Sequence, residues 1–286
     1  MINVITAVPS RALVGEGPIW HEESTSVYWV DIVAGDVHRT SLDSKVTDTF
    51  TVAESVGAVA PRKNGGLVAA VASGFIVFNA EGELTEHRKI LAPRMRMNDA
   101  KPDPRGVYWS GSCELDFEPG LGGLWRMDKS WEPSLVLEGL TLPNGLGWSP
   151  DGKTFYLVDS QERVVLQYAY DPESSTLDTH PTTLIGPDMF SGLPDGLAVD
   201  TRGHLWIAEF AGSALHECTP DGALEQSISL PTPQPTSCAF VGDELDQLWV
   251  TSAALGLDPT ENPDAGSIFQ VRGHGATGLP VAKFEG

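Results

Sequence analysis

Four oxygen-bearing residues, Glu16, Asn98, Asn144 and Asp195, stand at one recurring point of this chain. Two carboxylates and two carboxamides gathered in one place form the donor set of a hard divalent cation. Each opens a short apolar stretch: Glu16-Gly17-Pro18-Ile19-Trp20, Asn98-Asp99-Ala100, Asn144-Gly145-Leu146-Gly147-Trp148 and Asp195-Gly196-Leu197-Ala198-Val199. Val56-Gly57-Ala58-Val59-Ala60 and Ser237-Cys238-Ala239-Phe240 have the same form without the acid or amide. An isolated Asn-Gly or Asp-Gly is ordinary turn chemistry. Four in register, each leading into an apolar strand, favour a site. Without a cation, buried carboxylates would repel each other and lose hydration, so a metal is the natural compensation.

The elements that must bring these residues together follow from the same repeat. The six stretches begin at positions 16, 56, 98, 144, 195 and 237, between 40 and 51 residues apart. That period belongs to propellers and other repeat arrays. In the fourth unit, Leu146 to Trp148 is followed by the turn Ser149-Pro150-Asp151-Gly152-Lys153, a strand over Thr154 to Asp159, a third over Val164 to Tyr170 and a fourth near Thr182 to Ile185. The fifth unit repeats this order, with Asp200-Thr201-Arg202-Gly203 as its first turn. Second strands match across units, as in Val27-Tyr28-Trp29-Val30, Val107-Tyr108-Trp109-Ser110 and Leu248-Trp249-Val250-Thr251. Their aromatics are read as packing between wedge-shaped sheets, not as a ligand cage. No long amphipathic helix is apparent. The pattern predicts an all-β fold, a six-bladed β-propeller with four-stranded blades around a central tunnel, as one domain over residues 1–286. A β-solenoid would have shorter units. Either Val4 to Val8 or Pro280 to Phe284 supplies the outer strand of the last blade.

In such a ring the inner strand comes first and the polar residue sits at its start. Loops entering first strands share that end with loops joining second to third strands. The substrate-side loops are therefore Leu91 to Met97, Gly111 to Gly123, Gly186 to Pro194 and Ser252 to Gly266, the longest in the chain. Arg96 faces the same mouth, where it would hold a hydroxyl, carbonyl or carboxylate, or else pair with a surface acid. Glu114, Asp116 and Glu118 lie in the Gly111 to Gly123 loop. Asp99 either orients its neighbour Asn98 or points into the blade, and the sequence favours neither.

Composition excludes several function classes. The chain has 286 residues, 41% hydrophobic, enough for a sizeable core, and a formal net charge of −21. That charge argues against a nucleic-acid partner, which needs clustered Lys and Arg. Cys113, Cys218 and Cys238 form neither a disulfide framework nor a zinc pattern. Met1 to Ser10 lacks the blocks of a signal peptide, and no apolar run approaches about 18 residues, so no membrane partner is expected. A cytoplasmic protein, monomeric or weakly homo-oligomeric, is the expectation. The seven histidines make no H-E-x-x-H. There is no G-x-S-x-G elbow, and no G-x-G-x-x-G between a strand and a helix.

Gly15-Glu16-Gly17-Pro18 with Trp20, Arg96-Met97-Asn98-Asp99, Asn144-Gly145-Leu146 with Trp148-Ser149, Pro194-Asp195-Gly196 and Thr236-Ser237-Cys238 resemble, in order and spacing, the landmarks of the regucalcin (senescence marker protein)/gluconolactonase family. The resemblance runs from about Leu13 to the end. Members are six-bladed propellers that bind one divalent cation, and many hydrolyse sugar lactones. The resemblance implies Glu16, Asn144 and Asp195 as metal ligands, Arg96 and Asn98 as substrate contacts, and Asp195 in proton transfer. It implies an acidic substrate residue near Gly111 to Gly123, for which Asp116 is chosen over Glu114 and Glu118. The expected cofactor is one divalent cation, Ca²⁺, Mg²⁺, Mn²⁺ or Zn²⁺. The expected reaction opens an aldonolactone to its aldonic acid. The cation polarises the carbonyl, and either Asp195 or the cation itself activates the attacking water. The alternatives are a metal-dependent arylesterase or phosphotriesterase and a non-catalytic calcium-binding propeller.

Overall fold

Six antiparallel sheets form, one for each sequence unit, in a computed structural model that describes residues 1–286. Their first strands are Gly15–His21, Val56–Pro61, Met95–Pro102, Pro143–Trp148, Leu193–Val199 and Pro235–Val241. Each first strand packs against those of its two neighbours, and Gly15–His21 packs against both Val56–Pro61 and Pro235–Val241, which closes the ring. The chain is a six-bladed β-propeller. Two 3₁₀ turns, Glu22–Ser24 and Pro187–Met189, are its only helical elements. No helix is long and apolar enough to cross a membrane.

Burial falls from the axis outward. Val56–Pro61 and Leu67–Val71 are buried throughout, whereas the outer strands Thr47–Thr51 and Leu84–Lys89 are largely exposed. Inner strands read as continuous apolar runs because both of their faces meet another blade. The core is accordingly not one mass but six seams between adjacent blades. Trp29, Trp109, Trp206 and Trp249 are fully buried in these seams, as packing residues should be. Each removes about 200 Å² from water, or about 5 kcal/mol of transfer free energy.

Of the two expected closing strands, the N-terminal one joins the last blade. Asn3–Val8 pairs antiparallel with Ile268–Arg272, in the register Val4↔Val271 and Thr6↔Phe269. The C-terminal segment instead crosses the face opposite the site. Gly278 donates to the carbonyl of Leu245 at 2.8 Å, Phe284 to that of Pro61 at 2.9 Å and Glu285 to that of Gly106 at 2.9 Å. The Phe284 ring, fully buried, packs beside Tyr108 and Trp131. In the fourth blade, Thr182–Ile185 is the outer strand, and the short Thr176–Leu177 pairs further along the same third strand.

Every first strand breaks register with its second strand near its start. The breaks fall between Glu16 and Ile19, Val56 and Ala58, Met97 and Ala100, Pro143 and Leu146, Pro194 and Leu197, and Pro235 and Cys238. One extra residue per inner strand bends the chain and re-aims the side chains there. Glu16, Asn98, Asn144 and Asp195 stand at these bulges, whereas Asp116 lies in the loop between the second and third strands of the third blade.

Candidate metal centre

The bulges assign equivalence between blades. Ile32 donates to Val14, Ala72 to Ser55, Ser160 to Leu142 and Ala253 to Gln234, all carbonyl acceptors two residues before the equivalent point. The first ring position is thus Glu16, Gly57, Asn98, Asn144, Asp195 and Thr236. In the second and sixth blades it lies one residue away from Val56 and Ser237, where the sequence pattern put it. Gly57 has no side chain to offer. Thr236 donates to the carbonyl of Gly15 at 2.5 Å, tying the last blade to the first. An acid or amide therefore stands at this ring position in four of the six blades.

All four side chains are buried, between 4% and 7% exposed. One oxygen of Glu16 accepts the N–H of Gly17 at 2.8 Å. Nδ2 of Asn144 donates to the Ser160 hydroxyl at 3.2 Å, which leaves its oxygen for the site. Oδ1 of Asp195 is buried with no hydrogen-bond partner. Burial pushes the Glu16 carboxyl up to about 8, helped by the charge of Asp99, against the pull of Arg96 and Lys101. Asp195 is pushed well above the usual carboxylate range by burial and by the charges of Glu16 and Asp99. An orphaned carboxylate oxygen beside a second buried carboxylate and an amide oxygen is the kind of donor set that suits a divalent cation. Glu16, Asn144 and Asp195 fit a divalent metal on that ground.

Three further carboxylates, not singled out from sequence, fix the strands that carry these residues. Each lies at the last or next-to-last position of a second strand and accepts donors from the loop entering the first strand of the same blade. Asp31 takes the N–H groups of Leu13 and Val14 at 2.6 and 3.1 Å. Asp159 takes those of Thr141 and Leu142, both at 2.9 Å. Glu209 takes the N–H of Gly192 and the hydroxyl of Ser191, at 2.5 and 3.0 Å. The loops before Glu16, Asn144 and Asp195 are held in this one way.

At the mouth, Nη1 of Arg96 donates to Oδ1 of Asn98 at 2.6 Å and to the Met97 carbonyl at 3.1 Å. The other end of Asn98 donates to the Pro143 carbonyl at 2.9 Å, reaching the next blade. The guanidinium lies over the Phe117 ring, 6.0 Å from its centroid, so the loop containing Phe117 stands above Arg96. That loop is shorter than expected. Tyr108–Glu114 remains a strand and the next begins at Gly122, which places Cys113 in a buried strand and not in the expected Gly111 to Gly123 loop. Glu114 is buried and Asp116 is 78% exposed at its side chain; Arg94 pairs with both, at 2.8 and 2.5 Å. Glu118 is exposed in the same loop.

A second acidic group lies on the opposite face, where Asp200, His204 and Glu217 converge. Arg202 already bridges its two carboxylates, at 2.6 Å from Asp200 and 2.5 Å from Glu217. A metal there would have to displace a bound guanidinium, so this group reads as structural.

A family model described as the SMP-30/Gluconolactonase/LRE-like region matches residues 14–254. The chain is similar to regucalcin of Danio rerio, 32% identical over 298 residues, covering 100% of this chain and 99% of that protein. It is also similar to pentonolactonase XacC of Haloferax volcanii, 32% identical over 286 residues, covering 98% and 97%. Its structure resembles that of the calcium-binding protein regucalcin from Agrobacterium tumefaciens, with a TM-score of 0.93, 26% identity and coverage of 98% and 96%. With the family model spanning most of its length and relatives of more than 30% identity covering all of it, this chain belongs to the SMP-30/gluconolactonase/LRE-like family.

Proposed function

We propose that this protein is a divalent-cation-dependent hydrolase that opens sugar lactones to aldonic acids. The observation that carries the reading is the buried, partnerless Oδ1 of Asp195 beside Glu16 and Asn144. The name of the Haloferax relative, a pentonolactonase, supports the substrate class. The name of the Agrobacterium relative, a calcium-binding protein, supports the cation.

Glu16, Asn144 and Asp195 would hold one Ca²⁺, Mg²⁺, Mn²⁺ or Zn²⁺ through oxygen. Bound there, the cation supplies Lewis acidity that polarises the lactone carbonyl. Asp195 takes a proton from the attacking water and returns it to the ring oxygen as the acyl C–O bond breaks, so one water is consumed and one acid formed. Arg96 and Asn98 hold the lactone's oxygens at the mouth. In the loop above, Asp116 is proposed to take a sugar hydroxyl, and Glu114, the more buried acid beside it, is the competing choice. The protein is proposed to work in the cytoplasm as a monomer or weak homo-oligomer.

Asp195→Asn tests the assignment. It should abolish lactone turnover and weaken, without eliminating, cation uptake; full activity in that variant overturns the role. Rates on an aldonolactone, an aryl ester and an organophosphate separate this reading from an arylesterase or phosphotriesterase. Cation uptake without turnover of any of them would leave a calcium-binding propeller.

A further inference from the structure

The residue after the first ring position is Gly17, Ala58, Asp99, Gly145, Gly196 and Ser237 in turn around the axis. These six form the innermost ring, and there is little room in it. A Cβ on Gly17 would lie 3.4 Å from that of Ala58, one on Gly145 2.6 Å from the carbonyl oxygen of Asp195, and one on Gly196 2.6 Å from Cα of Ser237. Five blades make the bulge with glycine, alanine or serine. The third alone places a carboxylate there, so the fold does not demand one.

Asp99 is 4% exposed. Its Oδ1 accepts the N–H of Ala100 at 2.8 Å, while Oδ2 is buried with no partner. A buried carboxylate oxygen left bare is costly unless a charge offsets it. Two residues along the strand, Lys101 reaches across the axis from the third blade to the fifth and donates to the Leu197 carbonyl at 2.9 Å. Glu16, Asp99 and Asp195 bring three negative charges to this interior; Arg96 and Lys101 bring two positive ones. With all three carboxylates ionised, the form a cation would meet, the pocket is anionic by one charge, and without Asp99 it would be neutral.

We infer that Asp99 is the third carboxylate of the cation centre, a positioning residue that makes the pocket attractive to a divalent ion, with Lys101 as its built-in counter-charge. This rests on the reading of Glu16, Asn144 and Asp195 as the cation's ligands. It makes opposite predictions for two neighbouring residues. Removing the negative charge weakens cation binding, and removing the positive one strengthens it. Damage to the fold would weaken both.

The test is calorimetric titration of chelator-stripped protein with Ca²⁺ at pH 9, alongside melting of the metal-free forms. The variants are Asp99→Asn, Asp99→Ser, which installs the residue of the sixth blade, and Lys101→Met, which keeps the aliphatic stem. The expected result is a Kd at least tenfold higher in both Asp99 variants, a Kd severalfold lower in Lys101→Met, and metal-free Asp99 variants that melt no lower than the parent. Kd values within twofold of the parent in the Asp99 variants would overturn the inference, as would weakened binding in Lys101→Met. A parent protein that takes up no divalent cation would overturn the reading of the centre itself, a result distinct from either.

Discussion

Arg96 and Asn98 are joined by a 2.6 Å hydrogen bond from guanidinium to amide oxygen, and Asn98 passes the connection to the Pro143 carbonyl of the next blade. A residue at the mouth is thereby linked to the strand that presents Asn144. Asn98→Ala would leave the buried Pro143 carbonyl unpaired and release Arg96. The expected cost is about 1–3 kcal/mol of stability, with a fall in kcat/KM on the lactone. Arg96→Lys keeps the charge but loses the planar fork. It should raise KM while leaving the denaturation midpoint unchanged. Denaturant melts and steady-state kinetics on the two variants check both halves.

Asp159 touches neither the cation ligands nor the mouth, yet it should matter to both. Asp159→Ala strips the buried N–H groups of Thr141 and Leu142 of their shared acceptor. About 2–4 kcal/mol of stability should be lost. Cation affinity should drop with it, because Asn144 follows two residues later. A variant that melts lower but binds the cation unchanged would separate the loop from the ligand.

Protons and the cation should compete for Glu16, whose carboxyl burial has pushed from 4.5 to about 8. A carboxyl raised in the folded state binds more protons folded than unfolded between those values. The metal-free protein therefore loses stability as pH rises from about 4.5 to about 8. Saturating Ca²⁺ should restore it, with protons released on binding at pH 7. Melting curves from pH 5 to 9 with chelator and with Ca²⁺ test the sign. A metal-free melting temperature that rises across this range would contradict it.

The C-terminal segment makes a separate prediction. Phe284 is fully buried between blades, against Tyr108 and Trp131, although it lies two residues from the chain end. Phe284→Ala should cost about 3–5 kcal/mol, the range for an aromatic removed from a core. Because the segment crosses the face away from the site, KM for the lactone should hold at temperatures where the variant stays folded.

The ring was legible in sequence because its signal is periodic: first-strand openings and turns recur along the chain, second-strand aromatics recur in every blade but the second, and Trp29, Trp109, Trp206 and Trp249 fill the seams as expected. What sequence left unread is lateral. Asp31, Asp159 and Glu209 serve backbone donors 17 or 18 residues earlier, a pairing that exists only once the blade has folded. Asp99 drew no assignment because its meaning comes from comparison with Gly17, Gly145 and Gly196 around the axis. The equivalence of Gly57 and Thr236 was missed by one residue, since alignment on apolar runs cannot see where a bulge falls. The closing strand could not be chosen between Val4 to Val8 and Pro280 to Phe284, because both are short and apolar and only packing separates them.

The most direct test of the central claim is acid release from a panel of aldonolactones in a pH-stat, using protein stripped by chelator and then given Ca²⁺, Mg²⁺, Mn²⁺ or Zn²⁺. The predicted result is release that vanishes with the chelator, returns with at least one cation and is absent in Asp195→Asn. Release that ignores the chelator, or none from any lactone with any cation, would contradict a cation-dependent lactonase built on Glu16, Asn144 and Asp195.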